Sequence, residues 1–271
     1  MRRVKTERFI EQISTNGSVP CRFECSDGAT YFVKHYGNNR LHVINELIGS
    51  LLLQLLELPT PEIALVEVVP ESIEGLNFDR KAPCGVAFGS RQLQGQSKSL
   101  DRGDLYDGLE IRKFTASQSL TGIVLFDIWV YNTDRTQLNP NVLVEQIPNN
   151  RFRFVAIDHA MIFDGMEYRY LDRSEKILSP TIEDSLIAHP LYRQIHDSLG
   201  LFYSEEADRV LGRIESIKEE ELRGVLEEIP DEWEVTETEK DSIIKYYLLP
   251  RKHCVRGFYQ QLLVDANIKI P

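Results

Sequence analysis

The sequence predicts a two-lobed α+β fold, with a small antiparallel sheet and one helix in residues 1–95 and a larger, mostly helical lobe in residues 96–271. Three patterns support this division. Apolar and polar residues alternate through much of the first 36 residues, as they do in strands. An amphipathic helix is indicated from Leu41 to Leu56, and helical periodicity dominates after residue 117. A ligand is expected to bind between two such lobes.

Three antiparallel strands are predicted at the start of the chain, separated by a loop at residues 15–18 and a turn at residues 26–28. The Asp-Gly pair in this turn is a strong hairpin signal because it lies between two alternating segments. Two prolines, at positions 59 and 61, end the helix that follows. The strands predicted for the first lobe are Arg8–Ile13, Cys21–Cys25, Ala29–Tyr36, Glu62–Val69 and Cys84–Leu93.

The second lobe is predicted to follow a polar connection that runs from Leu93 to Asp107. Its first element is a strongly apolar helix, and two short strands come next. From Pro190 onward the pattern is helical almost to the end of the chain. The helix is predicted at Ser117–Tyr131, the strands at Asn141–Glu145 and Phe152–Ile157, and breaks near Gly200 and Pro230.

Composition and charge argue against several classes of function. The net charge of −11 disfavours nucleic acid as the main partner, because phosphate binding needs a surplus of Lys and Arg. No apolar stretch reaches the length of about 18 residues that a membrane span needs. The first twelve residues lack the apolar segment of a signal peptide, and the four cysteines form no CxxC pair. We therefore expect a cytoplasmic protein without membrane insertion or direct nucleic-acid binding.

The densest polar segment follows the apolar helix and includes Asp134. Asn141 begins the first of the two short strands, and Asp158 follows the second. A hairpin of this shape brings these two side chains close together. Their amide and carboxylate oxygens suit Mg²⁺, which shares its other positions among water and phosphates. Asp134 is then free to orient or deprotonate a hydroxyl group.

A second candidate element is Lys34, which lies in an apolar strand, with Glu46 on the helix that follows. Protein kinases pair a strand lysine with a helix glutamate to hold the α- and β-phosphates. The loop between the first two strands contains Gly17 and Ser18, and its backbone N–H groups could face phosphate oxygens. The alternative for Lys34 is an edge-strand lysine that guards against aggregation.

The order of these features resembles the HipA-like kinases over residues 10–165. The resemblance rests on Lys34, the Asn45-Glu46 pair, the segment NTDR at residues 132–135, Asn141 and the Ile157-Asp158 strand end. The NTDR segment is also similar to that of type II phosphatidylinositol 4-kinases. The shorter motifs LPTPE at residues 58–62 and FGSR at residues 88–91 fit the HipA-like pattern as well.

The resemblance implies a protein-kinase-like bilobed fold and an ATP- and Mg²⁺-dependent transfer of phosphate, with a protein Ser or Thr or a small-molecule alcohol as acceptor. A regulatory protein partner is possible, since HipA-like toxins often work with a DNA-binding protein. The implied site consists of Lys34 and Glu46 at the ATP phosphates, Gly17 and Ser18 over them, Gln92 and Leu93 at the adenine, Asp134 as catalytic base, and Asn141 and Asp158 as ligands of Mg²⁺.

Two departures from the family pattern leave alternatives open. Counting five residues on from Asp134, as is common in these families, leads to Asn139; we prefer Asn141 because it directly precedes a short apolar strand. Thr136 stands where His or Gly is common. The alternative functions are an inactive kinase-like binding module that responds to nucleotide, and nucleotidyl transfer. The NTD segment could also be a simple Asx turn. A hydrolase dyad at Asp158 and His159 lacks a nucleophile elbow.

Overall fold

The structure is a computed structural model with mixed α and β architecture. A closed five-stranded barrel comes first, and a three-stranded sheet and a series of helices follow it. The residues that the structure describes are 1–13, 19–35, 39–78, 82–95, 97–100, 111–114, 120–173, 180–183, 185–199 and 201–268.

The barrel strands close in the order β1-β2-β3-β5-β4. Side chains alternate between the interior and the outside, as the sequence pattern requires. Cys21, Phe23 and Cys25 of the second strand fill the interior together with apolar residues of the other strands. All five predicted strands are confirmed, at β1 (Arg3–Gln12), β2 (Cys21–Cys25), β3 (Thr30–His35), β4 (Ile63–Val68) and β5 (Gly85–Arg91).

The prediction of a purely antiparallel sheet was wrong at one pair of strands. β1 and β4 run parallel, with Arg3 opposite Leu65 and Lys5 opposite Glu67, and this pairing closes the barrel. The residues involved lie before Arg8, where the predicted strand began. Charged residues dominate this stretch, so the sequence hides the alternation that buries Val4 and Thr6. Alternation within one strand does not indicate which strand will be its neighbour.

Helix α1 (Arg40–Leu55) lies between the barrel and the later helices and is buried along most of its length. Asn39 caps its first turn by accepting hydrogen bonds from two backbone N–H groups. At its other end, Arg213 Nε donates to the carbonyl oxygen of Leu55 at 3.2 Å. Arg40 donates to the carbonyl oxygens of Trp233 at 3.0 Å and Glu234 at 2.7 Å. Both ends of α1 are therefore tied to the C-terminal part of the chain.

The second sheet contains β6 (Ser97–Ser99), β7 (Val142–Ile147) and β8 (Arg151–Ala156), all antiparallel. β7 and β8 are the predicted hairpin. β6 lies within the polar segment from Leu93 to Asp107 that was predicted to connect the two lobes, and no strand was predicted there. Its three side chains are exposed and polar, so nothing in the sequence marks it as a strand, and it forms through backbone pairing with β7.

The helices after the connection bury one large apolar core that also includes α1. Helix α2 (Leu120–Val130) is buried at every position, which agrees with its continuous apolar sequence. No helix within the described ranges has the length and apolar character of a membrane span. The remaining helices are α3 (Pro190–Leu199), α4 (Leu201–Ser216), α5 (Glu219–Glu227), α6 (Glu237–Asp241), a π-helical segment (Ser242–Leu248), α7 (Leu249–Arg251) and α8 (Val255–Asp265).

A substitution in α1 tests its packing against the segment after β8. A Cβ atom added at Gly49 would lie 2.5 Å from the Cβ atom of His159, so we expect Gly49→Ala to lower the free energy of unfolding by about 1–3 kcal/mol. Gly212→Ala in α4 is the matched control, because no atom lies within 4 Å of its added Cβ; it should stabilise by about 0.5–1 kcal/mol. Urea unfolding measures both variants. Equal effects in the two helices would contradict the described packing.

Candidate active site

Two carboxylates from distant parts of the chain meet the Lys34 side chain. The Lys34 ammonium, on β3, lies 2.5 Å from Glu46 Oε1 of α1 and 3.1 Å from Asp158 Oδ1, just beyond β8. The Glu46 side chain is 3% exposed, whereas that of Asp158 is 34% exposed. β3 lies between β2 and β5 in the closed barrel, so Lys34 is not on an edge strand. The alternative of an edge-strand lysine was therefore wrong.

The charged groups in this cluster shift one another's pKa values. Burial lowers the pKa of Lys34, but Glu46 and Asp158 outweigh it and hold the pKa above its ordinary value. Burial raises the pKa of Glu46 to about 7, and the nearby Asp158 carboxylate adds to this shift while Lys34 opposes it. Burial also acts to raise the pKa of Asp158, but Lys34 holds it well below its usual range. Asp158 is thus a permanent anion at neutral pH, and two carboxyl groups share one ammonium group.

Side chains of α1 hold the segment after β8 through hydrogen bonds to its backbone groups. Glu46 Oε2 accepts a hydrogen bond from the backbone N–H of His159 at 3.0 Å, so the two oxygens of one carboxylate bind two distant parts of the chain. Asp158 has a positive φ of 57°, a left-handed conformation that Asp tolerates better than most residues. Asn45, beside Glu46, donates to the carbonyl oxygens of Ala160 at 2.8 Å and Ile162 at 3.2 Å. α1 therefore sets the course of the chain that carries Asp158.

Asp134 is held by three asparagine side chains of the loop at residues 131–141. Asn132 Oδ1 accepts from the backbone N–H of Asp134 at 3.3 Å, and Asn139 Nδ2 donates to its carbonyl oxygen at 3.2 Å. Asn141 Nδ2 donates to the Asp134 carboxylate at 3.1 Å. The first of these contacts has the form of the Asx turn that the sequence analysis left open. The structure shows such a turn as one part of a loop that orients Asp134.

A buried arginine connects this loop to the end of β8. Arg135 is fully buried and forms an ion pair with Asp127 of α2. Its Nη2 atom donates to the carbonyl oxygen of Ile157 at 2.7 Å and to His159 Nδ1 at 3.0 Å, and its Nε atom donates to the carbonyl oxygen of Asn141 at 3.4 Å. This role of Arg135 was not predicted from the sequence. Asp127 was the available signal, because a charged residue inside an apolar helix needs a partner.

His159 is a neutral packing residue in this network. Burial lowers its pKa well below the ordinary value, and the Arg135 guanidinium lowers it further. A guanidinium group has donors and no acceptor, so Nδ1 of His159 carries the lone pair and Nε2 carries the proton. The ring meets Phe126 edge to face, with centroids 5.8 Å apart. These contacts give His159 a structural role.

The start of the same loop is held by the C-terminal helices. The guanidinium of Arg251 lies 4.9 Å from the ring centroid of Tyr131, and its Nε donates to the carbonyl oxygen of Ile128 at 2.8 Å. The backbone N–H of Asp164 donates to the carbonyl oxygen of Tyr131 at 3.1 Å. These contacts fix the end of α2, from which the loop departs.

The structure thus brings Lys34, Glu46 and Asp158 into one cluster and joins Asp134 to Asn141. The backbone N–H of Ile157 donates to the carbonyl oxygen of Asn141 at 3.0 Å, which links the two groups. Asn139 is more exposed and contacts the backbone of Asp134. Gln92 and Leu93 follow β5, and the backbone N–H of Gln92 donates to the carbonyl oxygen of Thr30. Gly17 and Ser18 lie outside the described residues.

The donor set at Asp158 fits a magnesium ion that is shared with phosphates. The described part of the chain contains no cluster of three or more His, Cys, Asp or Glu side chains that could hold a metal by itself. Mg²⁺ does not need such a cage, because one or two carboxylates together with phosphates and water satisfy it. Asp158 is ionised and partly exposed, and asparagine amides lie on the neighbouring loop.

Comparison with known proteins gives one family model and two similar solved structures. A family model described as HipA-like kinase matches residues 7–248. The Helicobacter pylori proinflammatory kinase CtkA has a similar structure, with a TM-score of 0.58, 10% identity, and coverage of 95% of this chain and 96% of that chain. HipA of Shewanella oneidensis MR-1, solved with HipB and operator DNA, gives a TM-score of 0.49, 15% identity, and coverage of 97% and 66%. At this identity the CtkA likeness shows a shared fold alone. No curated protein sequence matches significantly.

Because His159 is buried and neutral, the pH dependence of the protein's stability tests this assignment. Because its folded-state pKa lies below its unfolded value of about 6.5, its stabilising contribution is present above pH 6.5 and is lost as the pH falls. We expect His159→Gln to lose this part of the pH dependence of the free energy of unfolding. The slope that one histidine contributes is at most about 1.4 kcal/mol per pH unit. Urea unfolding at pH 7.5, 6.5 and 5.5 measures the slope, with the exposed His253→Gln as control. An unchanged slope in His159→Gln would contradict the neutral assignment.

Proposed function

This chain belongs to the HipA-like kinase family, and on that premise we propose that it transfers the γ-phosphoryl group of ATP to a Ser or Thr hydroxyl of a protein in a Mg²⁺-dependent reaction. The observation that carries the proposal is the contact of Lys34 with both Glu46 and Asp158. A strand lysine, a helix glutamate and a metal-binding aspartate are the groups that kinases assemble around ATP phosphates.

In this proposal ATP lies between two lobes, residues 1–95 and residues 96–271. Lys34 binds the phosphates, and Glu46 keeps the ammonium in position while remaining out of solvent. The loop with Gly17 and Ser18 covers the phosphates. Gln92 and Leu93, which follow β5, border the adenine.

Asp158 and Asn141 are the proposed ligands of Mg²⁺. The support is electrostatic as well as geometric, since Glu46 and Asp158 together carry more negative charge than Lys34 can neutralise when all three are ionised. A divalent cation at the open side of Asp158 relieves this excess. When bound, Mg²⁺ supplies compensation for the charge that develops on the transferred phosphoryl group and the ADP oxygens.

Asp134 is the proposed catalytic base. Its carboxylate accepts the proton of the acceptor hydroxyl as that oxygen bonds to the γ-phosphorus and the bond to ADP breaks. Three asparagines hold this residue by its N–H, its carbonyl oxygen and its carboxylate, so little reorganisation is needed when the acceptor arrives. Such fixed positioning is the main contribution that a protein makes to phosphoryl transfer.

The rest of the proposal concerns the setting of the reaction. Membership of the family supports the proposal of a protein Ser or Thr as acceptor, and a small-molecule alcohol is the alternative acceptor. We propose a cytoplasmic protein that has a regulatory protein partner and makes no direct contact with nucleic acid, in keeping with its net charge of −11.

The second candidate function is a binding module that responds to nucleotide without transferring phosphate. The observation behind it is the long spacing in the loop, where Asn141 rather than Asn139 contacts the Asp134 carboxylate. This function predicts ATP binding without phosphate on any protein. Nucleotidyl transfer would instead leave AMP on a product.

Removal of the Asp158 charge tests the metal site. Calorimetric titration of wild type should show ATP binding that depends on Mg²⁺, and Asp158→Asn should lose this dependence. Phosphate transfer should fall by about a hundredfold or more, because the variant lacks a charge that holds the metal. Asp265→Asn, on the exposed face of α8, is the matched control. Full metal-dependent turnover in folded Asp158→Asn would rule out the proposed site.

A pair of variants distinguishes the two candidate amide ligands. Asn141→Ala should raise the Mg²⁺ concentration needed for ATP binding by about 10–100-fold, whereas Asn139→Ala should change it by less than about threefold. The reason is that the Asn141 side chain contacts the Asp134 carboxylate. The Asn139 side chain contacts the backbone carbonyl oxygen of Asp134 instead. Calorimetry at a series of free Mg²⁺ concentrations gives both values. The opposite order would transfer the metal role to Asn139.

A further inference from the structure

The first turn of α1 carries a histidine on the face that bears Glu46. His42 precedes Glu46 by four residues, and residues at this spacing lie one above the other on a helix, with Cβ atoms about 6 Å apart. Asn39 caps the turn and accepts a hydrogen bond from the backbone N–H of His42, which fixes the start of the helix. Because the Glu46 carboxylate meets Lys34, His42 stands beside the same cluster, nearer to the N-terminus of α1.

His42 lies near charged groups of the candidate site. The imidazole is half-buried, and Lys34, Asp158 and Asp134 are the charged groups that affect it. Burial and then Lys34 lower its pKa, while the two carboxylates act in the opposite direction, and the net shift is downward. The ring is therefore neutral and lies within electrostatic range of the candidate base as well as the candidate phosphate-binding lysine.

The proposed reaction requires the terminal phosphate of ATP in this same space. Lys34 holds the phosphates at one end, and the γ-phosphorus must lie next to an acceptor oxygen that contacts Asp134 at the other end. A neutral imidazole has one N–H donor and can bind a phosphate oxygen without bringing a second fixed cation next to Lys34. Within the described residues, the ring of His42 has no hydrogen-bond partner that would compete for this donor.

We propose that His42 binds the terminal phosphate of ATP, with its ring N–H donating a hydrogen bond to a γ-phosphate oxygen. This assignment rests on the proposed function of the cleft and adds a binding residue to it. It also distinguishes two nucleotides, because ADP has no γ-phosphate to accept the bond. With this hydrogen bond from His42, the site binds ATP more tightly than it binds ADP, the product of the reaction.

The experiment is calorimetric titration of ATP and of ADP, both with Mg²⁺, into wild type, His42→Leu and His42→Gln. We expect His42→Leu to weaken ATP binding by about tenfold and ADP binding by less than about twofold, since a hydrogen bond to a charged phosphate is lost only with ATP. His42→Gln retains an N–H donor and should bind ATP within about threefold of wild type. His253→Gln, which changes an exposed histidine, is the control.

A measurement on the unmodified side chain covers the case in which a variant fails to fold. In protein labelled with ¹⁵N-histidine, the imidazole signal of His42 should shift on addition of ATP with Mg²⁺ and shift less with ADP. Equal responses to the two nucleotides, or equal weakening of both in His42→Leu, would overturn the assignment while leaving the proposed function intact. A wild type that binds no ATP would overturn the proposed function, and this assignment with it.

Discussion

A single buried carboxylate, that of Glu46, joins the parts of the molecule that must act together. One of its oxygens binds the Lys34 ammonium on the barrel, and the other binds the backbone N–H of His159 beyond β8. A buried charge is tolerated only when its partners are in place, so this group fixes the distance between two segments that are far apart in sequence. The hydrogen bonds at both ends of α1 and the close approach of Gly49 to His159 keep the carboxylate at this position.

The ion pair of Arg135 and Asp127 has a corresponding role for the loop that carries Asp134. Stability alone does not account for such a pair, because apolar residues of the same size often stabilise a core equally well. The guanidinium supplies donors that no apolar side chain has, and here they reach Asp127, Asn141, Ile157 and His159. The loop, the strand end and the helix are thereby held in one arrangement.

Sequence patterns predicted the elements well and their neighbours less well. Alternation and helical periodicity located the barrel strands, α1, α2 and the β7–β8 hairpin within a few residues, because burial on one face determines which residue types occur there. The parallel pairing of β1 with β4 and the polar strand β6 depend on backbone contacts between distant segments, which leave no local pattern. For the site, the sequence pattern paired Lys34 with Glu46 and Asp158 with Asn141, and the structure places Asp158 beside the Lys34 ammonium as well. His42 and Arg135 were not foreseen, because their importance arises from what folding places around them.

Closure of the barrel determines how another protein could attach to this part of the chain. Within the described strands, β1 and β4 use each other's backbone groups, so the sheet offers no row of free N–H and C=O groups to an incoming strand. β6 borders the second sheet, but it is three residues long and carries Lys98 at its centre, two features that discourage strand addition. A protein that binds to the barrel must therefore recognise its side chains, and extension of its sheet by a foreign strand or by a second copy is disfavoured.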